Sequence, residues 1–210
     1  MILAVCNSKG GVFKTGTAWN LCAFLNKHNP VLIDIDNQRS ITYLNNIRQE
    51  HCEAFKVLTI SREKELREII GNNRDNLYIV DSGGFDSALT RLAIVGADLL
   101  LTPTTANFVD LLGLNRFRLI LQELSAIKKQ TIITNVFINN VSHVSRKFED
   151  LQDYIKTSEH FNLLNTIIRT RADFPNAANK GLTVNEFNPV GKATQEFMQL
   201  SNEIENILYK

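Results

Sequence analysis

Two lysines, two glycines and a threonine fall together in Lys9-Gly10-Gly11-Val12-Phe13-Lys14-Thr15, between an apolar run at 2–6 and a helix-period segment at 15–28. Glycines at such a strand-to-helix junction let successive backbone N–H groups turn toward one anion, and the helix N-terminus adds partial positive charge there. The chemistry that fits is the holding of a phosphate chain. Lys14 then reaches the β and γ phosphates, and the Thr15 hydroxyl holds Mg²⁺. Ser8 and Phe13 stand where the general G-x-x-x-x-G-K-[ST] pattern has its first and last glycines. The general pattern is thus met in part, and a Gly-Gly turn that merely joins strand to helix is the plain alternative.

Acids close two further apolar runs. Val31-Leu32-Ile33-Asp34-Ile35-Asp36 ends a second strand, and Leu77-Tyr78-Ile79-Val80-Asp81-Ser82-Gly83-Gly84 ends another. In a parallel sheet the carboxyl ends of neighbouring strands open into one crevice, so Asp36 is expected to face the phosphates. Strand-end acids also cap helices, which is the competing use of Asp34 and Asp36. An acid at position 81 can hold Mg²⁺ through water, while the glycines beside it let the loop approach a γ-phosphate.

These residues need a scaffold, and the pattern supplies one. Apolar runs at 2–6, 31–35, 55–60, 77–80, 98–102, 131–138 and 164–168 read as strands. Helix-period segments at 15–28, 62–70, 86–95, 107–124 and 146–155 fall between them. Continuous apolar strands mean burial on both faces, which predicts an α/β fold with a doubly wound, mostly parallel sheet flanked by helices. The C-terminal part reads as 172–180, a turn at Gly181, an extended 182–189 and a helix over 191–208. With no repeat or linker, residues 1–210 read as one domain.

Composition narrows the function. Twenty-three Lys+Arg against 22 Asp+Glu give a formal charge of +1, which excludes a polybasic arm and leaves nucleic-acid binding to a local patch. No apolar run reaches the roughly 18 residues of a membrane span, so a cytoplasmic protein without membrane contact is expected. Three scattered cysteines and four separated histidines point to free thiols rather than a metal site.

The box at 9–15 resembles the deviant Walker A motif of the ParA/MinD ATPases, K-G-G-V-G-K-T with its extra lysine, closest to the small plasmid-partition ParA proteins. Asp34-Ile35-Asp36-Asn37-Gln38 resembles the family's D-x-D-P-Q, with Asn37 for proline. Asp81-Ser82-Gly83-Gly84 stands for D-x-P-P, and Ala97-Asp98 through Pro103 for A-D-x-x-x-x-P. Ile168-Arg169-Thr170-Arg171 through Gly181 and Val184 resembles the ParA C-terminal pattern I-R-x-R-x-x-F-x-x-A-x-x-x-G-x-x-V. The likeness runs in order along nearly the whole chain.

The resemblance implies a P-loop ATPase using ATP and Mg²⁺, slow and stimulated by a partner. Residues 9–16 (Lys9, Gly10, Gly11, Val12, Phe13, Lys14, Thr15, Gly16) and Asn139 bind nucleotide; Lys9, Lys14 and Asp36 serve catalysis; Thr15, Asp34 and water-linked Asp81 serve the metal. It further implies an ATP-bound homodimer in which Lys9 reaches the other protomer's phosphates. That dimer binds DNA without sequence preference and sits on the nucleoid, and a ParB-like adaptor on the cargo stimulates release. Arg169, Arg171 and Lys192 are the candidate DNA contacts. Three alternatives stay open: a non-hydrolysing ATP-sensing scaffold, a metabolic kinase or synthetase on the same fold, and positioning of another cargo. The Phe13 ring is expected either to turn outward against a neighbouring loop or a partner, or to narrow the cradle.

Overall fold

Ile2, Ala4 and Cys6 pack into one buried cluster and Leu3 and Val5 into another, because successive side chains of a strand point to opposite faces. The computed structural model describes residues 1–72, 76–142 and 148–209. Among these, β1 (Ile2–Val5), β2 (Val31–Asp34), β3 (Val57–Thr59), β4 (Tyr78–Asp81), β5 (Leu99–Thr104), β6 (Thr134–Val141) and β7 (Phe161–Arg169) form one sheet. Its order is β3-β2-β4-β1-β5-β6-β7. Every pairing is parallel, so the sheet expected to be mostly parallel is parallel throughout.

On the Leu3 face lie α1 (Lys14–Phe24), α2 (Ser40–Arg48), and, from the C-terminal part, Phe174, Val184 and Phe197 with their helices. The opposite face carries α3 (Glu63–Asn72), α4 (Ala88–Gly96), α5 (Phe108–Lys128) and α6 (Glu149–Lys156), through Leu66, Ala93, Leu114, Phe117, Leu121 and Ile155. The C-terminal helices are α7 (Asp173–Ala178), α8 (Val184–Phe187) and α9 (Lys192–Leu208). Side-chain oxygens start α4 and α5: Ser87 accepts from Thr90 N at 3.1 Å and Asn107 from Asp110 N at 2.8 Å, each satisfying a first-turn donor. Among the described residues no helix is long and apolar enough to cross a membrane.

Two segments differ from the sequence expectation. Residues 40–48 form α2, which no strand or helix reading covered, and the segment 182–189, expected to be extended, contains α8. A capping box makes α8: the Thr183 side chain bonds the Glu186 backbone while the Glu186 carboxylate accepts from Thr183 N at 2.9 Å. The helix expected from 146 is described from Glu149; Arg146 and Lys147 lie outside the described residues.

Arg48 ties these two unforeseen helices together. Its guanidinium donates to both Glu186 oxygens at 2.8 and 2.7 Å and to Glu53 O at 2.6 Å, with its carbon 3.9 Å from the Phe55 ring centre. Gly181, at φ +62°, lies against this strut, and a Cβ there would come within 2.6 Å of Arg48 Cα. At the far edge of the sheet, the Glu203 carboxylate on α9 accepts from Asn165 N at 2.8 Å and Thr166 N at 3.1 Å.

Truncating Arg48 to Ala leaves the half-buried Glu186 carboxylate without its cation. Urea denaturation of Arg48→Ala is expected to show a loss of about 2–3 kcal/mol, below the figure for a fully buried pair because Glu186 keeps some water. A loss under about 1 kcal/mol would show that the pair does not hold α2 to α8.

Candidate active site

Register brings the chemistry to one level. Val5 pairs with Asp81, and Asp81 pairs with Asp34, so the phosphate-type loop after β1 and the acids of β2 and β4 leave the sheet side by side. They open into a cleft of about 800 Å³ lined at one end by Gly10, Gly11, Lys14, Thr15, Asp36 and Gly84. Asn139, Thr170, Arg171, Phe174 and Pro175 line the remainder.

The loop is held from behind. Asn7 donates to Pro103 O at 2.9 Å and accepts from Lys9 N at 3.1 Å, while Ser8 Oγ donates to Gly113 O at 2.8 Å. Gly11 has φ +76°, a conformation glycine adopts freely. Phe13, the residue before α1, has φ 74° and ψ 28°, a left-handed backbone that costs a bulky residue about 1–2 kcal/mol. Thr17 holds that backbone by donating N–H and hydroxyl to Phe13 O at 2.9 and 2.7 Å. The ring lies over Gly16 and edge-on to Phe174, with centres 5.0 Å apart. It therefore packs against a neighbouring element, Phe174 of α7, and also lines the cleft.

Lys14 is buried and donates from Nζ to Lys9 O at 2.7 Å. Burial pulls its ammonium below the usual lysine range, and Asp81 opposes that shift. Thr15 Oγ1 donates to Asp81 Oδ2 at 2.7 Å, while Asp81 Oδ1 is buried without a hydrogen-bond partner. A hydroxyl beside a carboxylate with one unused buried oxygen suits a hard dication bound through oxygen and water, so Thr15 and Asp81 are the residues that would hold Mg²⁺. Asp34, also expected beside the metal, has both oxygens engaged: Oδ1 accepts from Asp36 N at 3.2 Å, and Oδ2 from Thr42 N and Oγ1 at 3.1 and 2.9 Å. It anchors α2. Asp36 is half-exposed, lines the cleft and accepts from Gln38 N at 3.1 Å.

Glycines 83 and 84 make close approaches. A Cβ on Gly84 would lie 3.1 Å from Gly10 N and Cα, and one on Gly83 3.1 Å from Asp36 Oδ1. The loop after β4 thus rests on the phosphate loop by its backbone. Its far end is clamped: Arg91 bonds both Asp86 oxygens at 2.7 Å and both Glu123 oxygens at 2.8 and 3.0 Å.

Lys9 points elsewhere than Lys14. Its ammonium, on a 30% exposed side chain, pairs with Asp110 in the first turn of α5. Asp110 lies outside the residues expected in the site, and its only signal in the sequence is an Asn107 cap followed three residues later by an acid. Asn139 is buried and donates to Val12 O at 3.3 Å, so it braces the loop from the far wall. Arg169 and Arg171, the expected DNA contacts, line the cleft; Arg171 pairs with Glu196 at 2.5 Å, and Arg169 N donates to Glu196 at 2.9 Å. Lys192 is exposed at the start of α9. Cys6 and Cys22 are buried free thiols pushed up to about 12 by burial, and among the described residues no three His, Cys, Asp or Glu cluster as metal ligands.

Burial raises the Asp81 carboxyl from 3.8 to about 7, against the lowering effect of the Thr15 hydrogen bond. The folded protein therefore keeps a proton that the unfolded chain releases between about pH 4 and 7, and stability without metal falls as pH rises through that window. Asp81→Asn should be the more stable protein above pH 7, by on the order of 2–4 kcal/mol, with the gain gone below pH 4. It should also lose any stabilisation by Mg²⁺. Thermal melts across pH, with and without Mg²⁺, check both; an unchanged Mg²⁺ effect would remove Asp81 from the metal site.

Residues 3–184 match the family model described as the CobQ/CobB/MinD/ParA nucleotide binding domain. A ParA family protein of Chlamydia pneumoniae is 24% identical, covering 96% of this chain and 96% of its own. The maintenance of carboxysome distribution protein A of Gloeobacter kilaueensis is 35% identical over 52% of this chain and 51% of its own. The septum site-determining protein MinD of Pyrococcus horikoshii, solved with Mg-ADP, aligns with a TM-score of 0.73 at 16% identity, covering 99% of this chain and 97% of that chain. With the sheet order, the phosphate loop and the two acids already in place, the chain belongs to the CobQ/CobB/MinD/ParA family of nucleotide-binding ATPases.

Proposed function

We propose that this chain is a partition ATPase whose ATP-bound homodimer binds DNA without sequence preference and releases it after hydrolysis stimulated by an adaptor on the cargo. One observation carries the reading: the two lysines of the loop do separate jobs. Lys14 is buried and turned into its own loop, while Lys9 sits at the rim on Asp110. A second cation at the rim supports the reading in which Lys9 serves a nucleotide in a facing protomer. Contacts run from Gly113 through Lys9 and Gly10 to Gly84, and next to these lie the exposed Phe85 (82%), Val109 (59%) and Leu112 (49%). Exposed apolar side chains around the Lys9–Asp110 pair suit a protein partner.

The mechanism follows from the positions. Backbone N–H groups of residues 10–15 and the Lys14 ammonium hold the β and γ phosphates. Thr15 and Asp81 would hold Mg²⁺, which would supply neutralisation of the phosphate charge when bound. Asp36 orients the attacking water and takes its proton as the bond between the γ-phosphorus and the bridging oxygen breaks, releasing ADP and phosphate. Gly83 and Gly84, resting on Asp36 and Gly10, are placed to follow the loss of the γ-phosphate. Lys9 leaves Asp110 when it crosses to the partner.

Asp36→Ala should keep ATP-dependent dimers and lose at least about 100-fold in phosphate release, the low end for removing a positioned base. Lys9→Ala should bind ATP yet stay monomeric in sedimentation. Wild-type turnover in Asp36→Ala, or ATP-dependent dimers of Lys9→Ala, would overturn those roles.

DNA binding is expected to require ATP, to be equal for unrelated sequences and to fall steeply with salt. Lys192→Glu should weaken it without changing ATP affinity, whereas the cleft-lining Arg169 and Arg171 do not separate the two. Tight binding of DNA by the nucleotide-free monomer would overturn the gate. The relative named for carboxysome distribution favours, as a second reading, the same cycle applied to a protein assembly. A nucleoid-associated cytoplasmic location belongs to both readings. Absence of any phosphate release would leave a dimerisation scaffold that senses ATP without hydrolysing it.

A further inference from the structure

Phe13 is where the loop departs from the K-G-G-V-G-K-T pattern it resembles, and Gly16 is sterically tied to it. A Cβ on Gly16 would overlap Cε2 and Cζ of the Phe13 ring and lie 2.6 Å from Cδ2. Gly16 is the third residue of α1 and does not have a positive φ. Space, not backbone conformation, demands glycine there, in a helix turn where glycine is otherwise a poor former. The ring fills the volume into which a side chain at 16 would project.

Both backbones are fixed in that arrangement. Thr17 binds Phe13 O twice, and Asn20 Nδ2 donates to Gly16 O at 2.7 Å. The ring is backed by Phe174, which meets Phe197 at 6.2 Å between centres, and Phe197 meets Phe24 at 5.2 Å. A row of aromatic rings thus runs from the cleft wall into the core between α1 and α9. Phe13 and Gly16 line the same cleft as Gly11, Lys14 and Thr15 and as Asn139, Thr170 and Phe174, and the Phe13 ring touches Phe174.

We propose that Phe13 is a nucleoside-positioning residue: its ring, seated over Gly16 and backed by Phe174, is an apolar wall for the ribose and base of bound ATP. This rests on the ATP reading above and deepens it. A ring at this place offers carbon surface and an aromatic face to the nucleoside and no hydrogen bond to a phosphate. Part of the binding energy is moved from the phosphate chain to the nucleoside, and the left-handed strain at Phe13 is the cost of seating the ring.

Calorimetric titration with Mg²⁺-ATP and with Mg²⁺-tripolyphosphate, which lacks the nucleoside, separates the two ends of the cleft. Phe13→Gly should weaken ATP roughly three- to tenfold and leave tripolyphosphate within about twofold. A general disturbance of the loop would weaken both alike. Gly16→Thr should weaken both ligands at least about tenfold, because its side chain displaces the ring, and adding Phe13→Gly should restore most of the tripolyphosphate binding. Equal weakening of both ligands by Phe13→Gly, no weakening at all, or a Gly16→Thr loss that persists without the ring, overturns the proposal. Should Gly16→Thr fail to fold, the Phe13→Gly comparison decides alone. Wild-type protein that does not bind ATP overturns the ATP reading and this wall with it; ATP binding with an unselective Phe13→Gly overturns the wall alone.

Discussion

Parallel pairing of β4 between β1 and β2 is the constraint on which the site depends. It puts Val5, Asp81 and Asp34 at one level of the sheet, so three loops emerge together and the Thr15 hydroxyl meets Asp81. That hydrogen bond fastens the first turn of α1 to the end of β4. A slip of one residue in β4 would turn Asp81 to the opposite face and bring Val80, an apolar side chain of the α3 to α6 layer, into its place.

The charges gathered there are tolerable only as a set. Lys14, Asp34 and Asp81 are all buried, and each would be expensive alone. The cost of burying Asp34 is offset by N–H and hydroxyl donors from Thr42 on α2; Lys14 has the Lys9 carbonyl; Asp81 has one hydroxyl and one oxygen left over. The protein closes two of these accounts itself and leaves one open to a cation. Arg48 and Glu186 repeat the principle away from the cleft, where a closed pair holds two helices and nothing is left over.

Strand-helix alternation, the phosphate loop and the strand-end acids were legible because they depend on local patterns: continuous β-branched runs, glycines before a lysine, acids after apolar strands. Helix α2 was not, since two of its inward residues, Asn45 and Arg48, are polar and buried by hydrogen bonds from remote segments. A hydrophobic period cannot announce them. For α8 a signal existed in Thr183 and Glu186 three apart, masked by Gly181, Asn185, Asn188 and Pro189. The direction of Arg169 and Arg171 depends on where α9 puts Glu196, which no spacing records. Position 34 read as a site acid, and the deciding fact was again tertiary: Thr42 on the unforeseen α2 takes one of its oxygens.

The Glu203 carboxylate has a consequence for how copies of this chain can associate. At the open side of β7 it accepts the N–H groups of Asn165 and Thr166 where the pairing of β6 with β7 is irregular. Those are donors that an incoming strand would need, and an edge whose amides are already bound to a carboxylate makes a poor template for strand addition. Sheet extension from one molecule to the next is closed off along this stretch. Any fibre or array built from the chain has to be stitched through side-chain surfaces there, so its geometry is set by how helices and loops pack rather than by continued strand pairing.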